Sequence, residues 1–402
     1  MGNDILISGA GIAGPAAAYW LRAAGYRPTI VERAPSLRPG GQAVDLRGAG
    51  RTVMERMGLL DRVRDLALDQ KGFALIDARG RALARMPADA FGGEGIVSEI
   101  EILRGDLSRV LHEATVAFTE YVFDDAVTGI EQRDDGVDVT FEKAPPRRFA
   151  LVVGADGLRS AVRRLAFGPD DDLVHAYDLY GALFTAPAVV DAGGWFLMYN
   201  APGGRVASVR PGRLPGELKV GLSFRGDAPA YERGDAAAQK QLIARRLAGA
   251  GWEVSRLLEA MRDAPDFYFH GTGQVRMERW TRGRAALVGD AGYCPTPLTG
   301  LGTSLALVGA YVLAGELAAA GGDVRAALAR YEDVMRPYVA KAQELPPGGV
   351  GGFAPKRALS IRLRAASMRW MTRRPLRQMF AHQFDKAADI ELPDYAARLV
   401  AA

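Results

Sequence analysis

The residues with the clearest chemical use lie near the N-terminus, in ILISGAGIAGPAAAYWLRAAGYRPTIVER, residues 5–33. Gly9, Gly11 and Gly14 follow an apolar run, and the acid Glu32 stands 18 residues after Gly14. This is the pattern a dinucleotide needs. The first glycine permits a tight turn, the second lets the backbone approach a pyrophosphate, and the third allows close helix–strand packing. The start of the helix that follows, GPAAAYWLRAAG, offers unpaired N–H groups to the phosphates. An acid closing the next strand accepts ribose hydroxyls and disfavours a 2′-phosphate, so the pattern fits FAD or NAD better than NADP in this pocket.

Two more acids sit behind apolar runs. LVVGADGLRS carries Asp156-Gly157, and ALVGDAGYCPTPLTGLG carries Gly289-Asp290 ahead of a helix starting near Gly302. A second helix N-terminus with an acid before it suits a ligand longer than NAD. Asp290 can bind ribityl hydroxyls, and the helix end can face a flavin pyrimidine edge, where negative charge collects on reduction. The plainer alternatives are a capping Asp290 and an Asp-Gly turn at 156–157 needed only for geometry.

Positioning these groups requires an α/β frame. Residues 4–9 read as a buried parallel strand, GPAAAYWLRAAG as a helix ending at Gly25, and TIVER as the next strand, which is one βαβ unit. GFALIDARGRALARM reads as a hairpin around Ala78–Gly80, and the alternating 120–144 segment as a β-meander. Four strand-like runs and a helical stretch fill 173–275. The strand–loop–helix pattern then returns at 285–317.

Composition narrows the function classes. The chain has 402 residues, 49% hydrophobic and 24% charged, with net charge +4. That is ordinary globular composition, without the basic field nucleic-acid binding needs. A lone cysteine, Cys294, and four scattered histidines leave no disulfide pair or multi-cysteine metal site, so no metal is expected and a cytoplasmic location fits. Residues 291–315 are uncharged, but the Pro/Gly-rich first half leaves 303–317 as helix, shorter than the ~20 residues of a membrane span. A buried helix is expected there, and no signal peptide is apparent.

Taken together, these three motifs, in this order and spacing, resemble the FAD-dependent aromatic hydroxylases, the para-hydroxybenzoate hydroxylase type of flavoprotein monooxygenase. The likeness covers about residues 4–345 and is greatest to the tetracycline-modifying and polyketide-tailoring branch. It implies a Rossmann-like FAD-binding domain, 1–172 with 276–345, and an interleaved substrate-binding β-sheet domain, 173–275; beyond it, the Gly/Pro break LPPGGVGGFAP reads as the start of a C-terminal helical tail, 346–402. The resemblance also implies roles. Gly9, Gly11, Ala13, Gly14, Glu32 and Arg33 would hold the adenosine half of FAD. Arg38 in LRPGGQAVDLRG would assist the nicotinamide donor, and Asp45 would contact FAD. Arg104 would reach the flavin or its phosphates, Asp156 would serve both FAD and NADPH, and Asp290 would bind the ribityl chain. Pro297, Gly300, Leu301 and Gly302 would form the loop at the flavin pyrimidine. The family's loop normally carries Ala-His where Gly292-Tyr293 stand, Gln at Leu301 and Asn at Ser304, so the chain departs from the family's side chains there and would bind through the loop's backbone N–H groups.

The implied chemistry belongs to the cofactor. NADPH or NADH, bound transiently, reduces FAD. A flavin C4a-hydroperoxide formed with O2 then hydroxylates an aromatic, polyketide-like small molecule, or oxidises a ketone in a Baeyer–Villiger step. No dedicated catalytic side chain is implied. Tyr180, Met198, Arg205 and Lys219 on the 173–225 strands, with Tyr293 in the loop, are the candidates for touching substrate, and Arg205 is the preferred binder of a phenolate or enolate. An FAD oxidase or dehydrogenase on this fold, and a binding protein like the GDP-dissociation inhibitors, are the rival readings. From Lys356 to Lys386 the tail carries nine basic residues and one acid. It reads as a bracing helix with solvated arginines more readily than as a membrane-binding one, because Pro375 interrupts the amphipathic run. Nothing in the sequence fixes the oligomeric state.

Overall fold

The computed structural model describes residues 2–38, 40–93, 95–227, 234–371 and 390–399. The tail beyond 371, up to 389, and thus much of the basic segment, lies outside the described residues.

The dinucleotide half is a six-stranded sheet in the order β17 (Thr281–Arg282), β18 (Ala285–Leu287), β11 (Leu151–Gly154), β1 (Asp4–Ser8), β2 (Arg27–Glu32) and β7 (Glu120–Phe123). From β18 to β7 all pairs are parallel, and only β17 runs antiparallel. Ile5, Leu6 and Ile7 have no exposed surface, which is why β1 reads as a continuous apolar run rather than an alternating one. Behind the sheet, α1 (Ala13–Ala23) packs on α9 (Gly302–Ala319), and α9 on α10 (Val324–Ala342). The α9 helix is apolar and long enough to pass a membrane-span test, but 83% of it is buried inside the protein. It is the interior helix that the sequence led us to expect.

A small antiparallel sheet, β10 (Arg147–Phe149), β9 (Val137–Phe141) and β8 (Val127–Gln132), continues the chain after β7. Helices α2 (Gly48–Arg56), α3 (Leu60–Asp65) and α4 (Arg104–Glu113) flank a two-stranded ribbon of β3 (Ala43–Asp45) and β6 (Glu101–Leu103), while α5 (Ala161–Phe167) follows β11.

The second half is a seven-stranded sheet, β16 (Tyr268–Val275), β12 (Val174–Pro187), β15 (Glu217–Arg225), β14 (Arg205–Pro211), β13 (Trp195–Ala201), β4 (Gly72–Ile76) and β5 (Ala82–Pro87). This departs from the expected 173–275 boundary. The hairpin β4–β5, assigned from sequence to the dinucleotide half, completes this sheet, with β4 pairing parallel to β13. All five β4 residues are buried, and no local signal tells a strand which distant edge will cover it.

Strand alternation gives this sheet two unlike faces. Leu218, Val220, Leu222 and Phe224 point outward into a core closed by α6 (Ala236–Leu247) and α7 (Val254–Arg262). Lys219 and its neighbours point inward, toward the dinucleotide half. At the β13–β5 side this inner face is covered by α11 (Gly349–Phe353) and α12 (Ala358–Met371). The four-residue helix α8 (Asp290–Tyr293) joins β18 to the loop before α9.

Candidate active site

Close backbone approaches bring the three sequence motifs together, and in each a glycine is the reason. Gly9 has φ 107°, and a Cβ there would lie 2.6 Å from the Ala155 carbonyl oxygen and 2.9 Å from the Asp156 Cα. That packs the glycine-rich turn on the Asp-Gly turn. A Cβ on Gly14 would fall 1.9 Å from the Gly9 carbonyl oxygen, so no other residue lets α1 start this close to β1. A Cβ on Gly289 would lie 3.3 Å from the Cβ atoms of both Ala13 on α1 and Ala306 on α9, which seats the Gly-Asp motif between the two helices.

The charges around this cradle are held in place. Glu32 accepts hydrogen bonds from the Ala10 and Ala34 backbone N–H groups, both at 2.9 Å, so its carboxylate is oriented by backbone on either side. The Arg104 guanidinium stands over the cradle, 3.2 Å from where a Gly11 Cβ would be. Its backbone N–H donates to the Gln42 carbonyl, and Gly105 donates to Gly40, which docks the 40–42 segment on the start of α4. Arg33 and Arg38 lie exposed at the rim.

Asp156 has two jobs in its two oxygens. Oδ2 caps α5 by accepting from Ala161 N–H at 2.7 Å and Val162 N–H at 3.2 Å. Oδ1 is buried with no hydrogen-bond partner among the described residues. Burial pushes the Asp156 carboxyl above the ordinary range, against the Ser160 and backbone hydrogen bonds that lower it. Asp290 presents its own surface to solvent yet lies deep among protein atoms, as a group lining a cleft does. Desolvation raises its carboxyl too, opposed by Cys294 and by the Arg104 charge.

The loop before α9 is unusual backbone. Thr296 has φ 80° although it is not glycine, and Gly300 is left-handed at φ 68°. Strain of this kind costs roughly 1–3 kcal/mol and persists where the surroundings impose it. Thr296 Oγ1 accepts from Leu298 N–H at 2.9 Å, a turn-closing bond just after Pro295. Asp45 Oδ2 would meet a Gly300 Cβ at 2.9 Å and is paired with Arg47 at 3.0 Å. The residues that depart from the family's loop are structurally absorbed: Leu301 is buried in the core, and Ser304 Oγ donates to the Arg47 carbonyl at 2.9 Å, fastening α9 to the start of α2. Pro297 is exposed at the tip, and Gly302 opens α9.

These features fit FAD. Glycine cradles would be filled by any Cβ, one buried carboxylate oxygen has no partner among the described residues, a guanidinium overhangs the turn, and a second helix of 18 residues begins at the loop. The N–H and guanidinium donors match two phosphates and a polarised ring edge, and the carboxylate acceptors match the hydroxyls of a ribose and a polyol chain.

Of the five substrate candidates, the structure brings two to the inner face and removes three from it. Met198 is 5% exposed, packed beside Phe73, Leu75 and Met368. Lys219 Nζ donates to Thr185 Oγ1, pairs with Glu217, both at 2.7 Å, and lies 4.0 Å from a Cβ position on Gly40. Tyr180 belongs instead to the outer core and stacks on Phe224 at 5.7 Å. Arg205 shares that outer face, because it pairs with Phe224 in the β14–β15 register, and it donates to the Pro202 and Ala248 carbonyls. The parity of a strand decides its face, and the register was not readable from sequence. Tyr293 has no exposed surface: its hydroxyl meets Tyr331 at 2.9 Å and its ring packs edge-on against Trp280. Cys294 is buried behind it, with its thiol pushed well up by desolvation, and is inert.

Sequence reasoning missed several charged residues on the inner side. Glu101, 4% exposed, pairs with Arg210 at 2.9 Å, and Arg210 lies 3.8 Å over the Phe196 ring. Burial raises the Glu101 carboxyl to about 7 despite Arg210. Its signal in the sequence is faint: an acid inside SEIEIL, three residues before Arg104. His270 on β16 is held neutral, lowered to about 4 by burial first and by the Arg159 charge second.

Residues 3–345 match the FAD binding domain family. An uncharacterized protein from Mycobacterium tuberculosis is 44% identical over 354 residues, which is 88% of this chain and 95% of that protein. A flavin-dependent monooxygenase from an unknown prokaryotic organism is 41% identical over 338 residues, 84% of this chain and 86% of its own. Tetracycline destructase Tet(51) superposes with a TM-score of 0.81 at 34% identity, covering 98% of this chain and all of its own, 100%. By sequence, fold and the construction of its dinucleotide cradle, the chain belongs to the FAD binding domain family and is one of its flavin-dependent monooxygenases.

Proposed function

We propose that this enzyme inserts one oxygen atom into a polycyclic aromatic or polyketide-like small molecule held between the flavin and the inner face of the seven-stranded sheet. The observation that carries the reading is the approach of Lys219, on that face, to the 40–42 segment docked on Arg104. It leaves the sheet and the dinucleotide cradle as opposite walls of one cleft. The resemblance to a tetracycline destructase supports a bulky fused-ring substrate and a role in antibiotic modification or biosynthesis.

When bound, FAD would supply the redox chemistry, taking electrons from NADPH or NADH and activating O2. The chain's own residues would do the rest. The Gly9, Gly11 and Gly14 backbone and the start of α1 would bind the pyrophosphate, with Arg104 adding positive charge. Glu32 would hold the adenosine ribose, with Arg33 beside it at the rim, and Asp290 the ribityl hydroxyls. The Pro297–Gly302 backbone and the N-terminus of α9 would stabilise negative charge at the pyrimidine edge. Asp45 and Arg47 would fix the loop from behind, Asp156 would serve FAD and the nicotinamide donor, and Arg38 would meet that donor at the surface. The apolar residues around Met198 would exclude water from the reacting atoms. A cytoplasmic location fits this chemistry.

The test begins with the visible spectrum of the purified protein, repeated anaerobically with NADPH and with NADH. Flavin bands that one donor bleaches are expected, and labelled dioxygen should then place one oxygen atom in a turned-over fused-ring substrate. Product free of label would replace this reading with an oxidase.

A further inference from the structure

Helix α12 inserts a guanidinium into the inner face of the sheet. Arg364 Nη1 donates to the side-chain oxygen of Asn200 at 2.7 Å and to the Phe353 carbonyl at 3.1 Å. Both Nη atoms lie 3.7 Å from the Met198 sulfur, a weak acceptor. All of these partners are neutral. Among the described residues no carboxylate lies within 4.0 Å of Arg364, and its Nε has no hydrogen-bond partner. Asn200, the strongest of the partners, is itself 6% exposed.

Arginines this deep in a fold are ordinarily paired, because an unpaired cation loses its hydration without compensation. The other inward cations of this sheet obey that rule: Arg210 has Glu101 and Lys219 has Glu217. Arg364 departs from it, and desolvation alone lowers its guanidinium to about 10, with no acid to oppose the effect. Its residue surface is nevertheless partly accessible, so it borders a crevice rather than a sealed core. With Nη1 occupied by Asn200 and Phe353, the edge left over is the Nε–Nη2 side, a planar two-donor fork suited to two oxygens of one anion.

The location links that fork to the reaction site. Met198 and Asn200 lie on the inner face of β13. Leu298, from the loop before α9, packs in the same apolar cluster as Met198, Phe353 and Met368. We propose that Arg364 is a specificity-determining residue whose Nε–Nη2 edge binds two oxygens of an anionic substrate, a carboxylate or the enolate of a 1,3-dicarbonyl on a fused-ring molecule. The proposal rests on the flavin monooxygenase reading and narrows it to anionic substrates. Arg364 takes here the part the sequence reading gave to Arg205.

The test uses the FAD-loaded full chain near neutral pH, titrated with anthraquinone-2-carboxylate and, separately, with its methyl ester, while flavin absorbance and fluorescence report binding. The wild type should bind the carboxylate at least about tenfold more tightly than the ester, the worth of one desolvated charge-assisted pair. Arg364→Gln should erase that preference while leaving the flavin spectrum intact. Asn200→Asp tests the same point with the arginine in place, since its carboxylate would occupy the guanidinium; it too should erase the preference, and it decides the matter should R364Q fail to fold. A wild type that binds the two probes equally or binds neither, or an Asn200→Asp protein that keeps the preference, overturns the proposal. A protein with no flavin bands would instead sink the flavin reading itself, which makes the two failures distinguishable.

Discussion

In the glycine cradle, Glu32 is held by backbone N–H groups on Ala10 and Ala34, 22 and 2 residues away in sequence. Where the two halves meet, Glu101 on β6 is held by a side chain from the seven-stranded sheet, Arg210, 109 residues away. One wall is built from local backbone whose geometry only glycine permits. The other is built from long side chains that meet because distant strands happen to be neighbours. The first kind of site leaves a spaced signature in the sequence, while the second leaves isolated charges whose partners are named only by the fold.

The contrast predicts different failures. The largest effect belongs to the side-chain wall. Glu101→Ala leaves the half-buried Arg210 without its carboxylate, which should cost about 3 kcal/mol, the low end for breaking a shielded pair. Denaturant unfolding of the FAD-loaded protein should show it, and a loss under about 1 kcal/mol would mean that Arg210 finds water. The same pair makes stability pH-dependent. The Glu101 carboxyl is raised in the fold, so the native state holds its proton while the unfolded chain releases it. Stability should therefore fall as pH rises between about 4.5 and about 7, and Glu101→Gln should flatten that part of the profile.

The backbone wall should fail through a single methyl group. Gly14→Ala puts a Cβ 1.9 Å from the Gly9 carbonyl oxygen. Overpacking of about 1–3 kcal/mol should weaken FAD binding about tenfold to a hundredfold, read from the flavin-to-protein absorbance ratio after dialysis. Full flavin content would show that α1 can shift without harm. Glu32→Ala removes one acceptor from two N–H groups and a partner from the ribose. A smaller loss, about 1–2 kcal/mol in FAD affinity, is expected by calorimetry, and it should appear with adenosine diphosphate as well.

The smallest effect sharpens the correction at Tyr293. Because its hydroxyl meets Tyr331 in the core and no other side chain among the described residues, Tyr293→Phe should lower stability by about 1 kcal/mol and leave the KM for substrate unchanged. A changed KM with unchanged stability would return Tyr293 to the substrate side.

The sequence was sufficient for the βαβ unit, the Asp-Gly and Gly-Asp turns and the interior helix α9, because each is specified over a few residues. Apolar run, glycine and acid stand at fixed offsets, and a backbone that must come within contact distance of another excludes every Cβ. It also placed Asp156 and Asp290 each just after a buried strand, and the structure makes those strands, β11 and β18, parallel neighbours in one sheet. Only the tertiary structure decided the other wall. Tyr180 and Arg205 lie on the far face because register sets parity, and a shift of one residue would have exchanged them with their neighbours. The β4–β5 hairpin joins the second sheet through β13, a pairing that no local pattern encodes. Arg364 reaches the inner face from a helix more than 150 residues beyond Met198 and Asn200, and an arginine in a basic tail looks in sequence like any solvated charge. Whether such a charge is solvated or buried depends on which surfaces meet, and that is settled by packing rather than by composition.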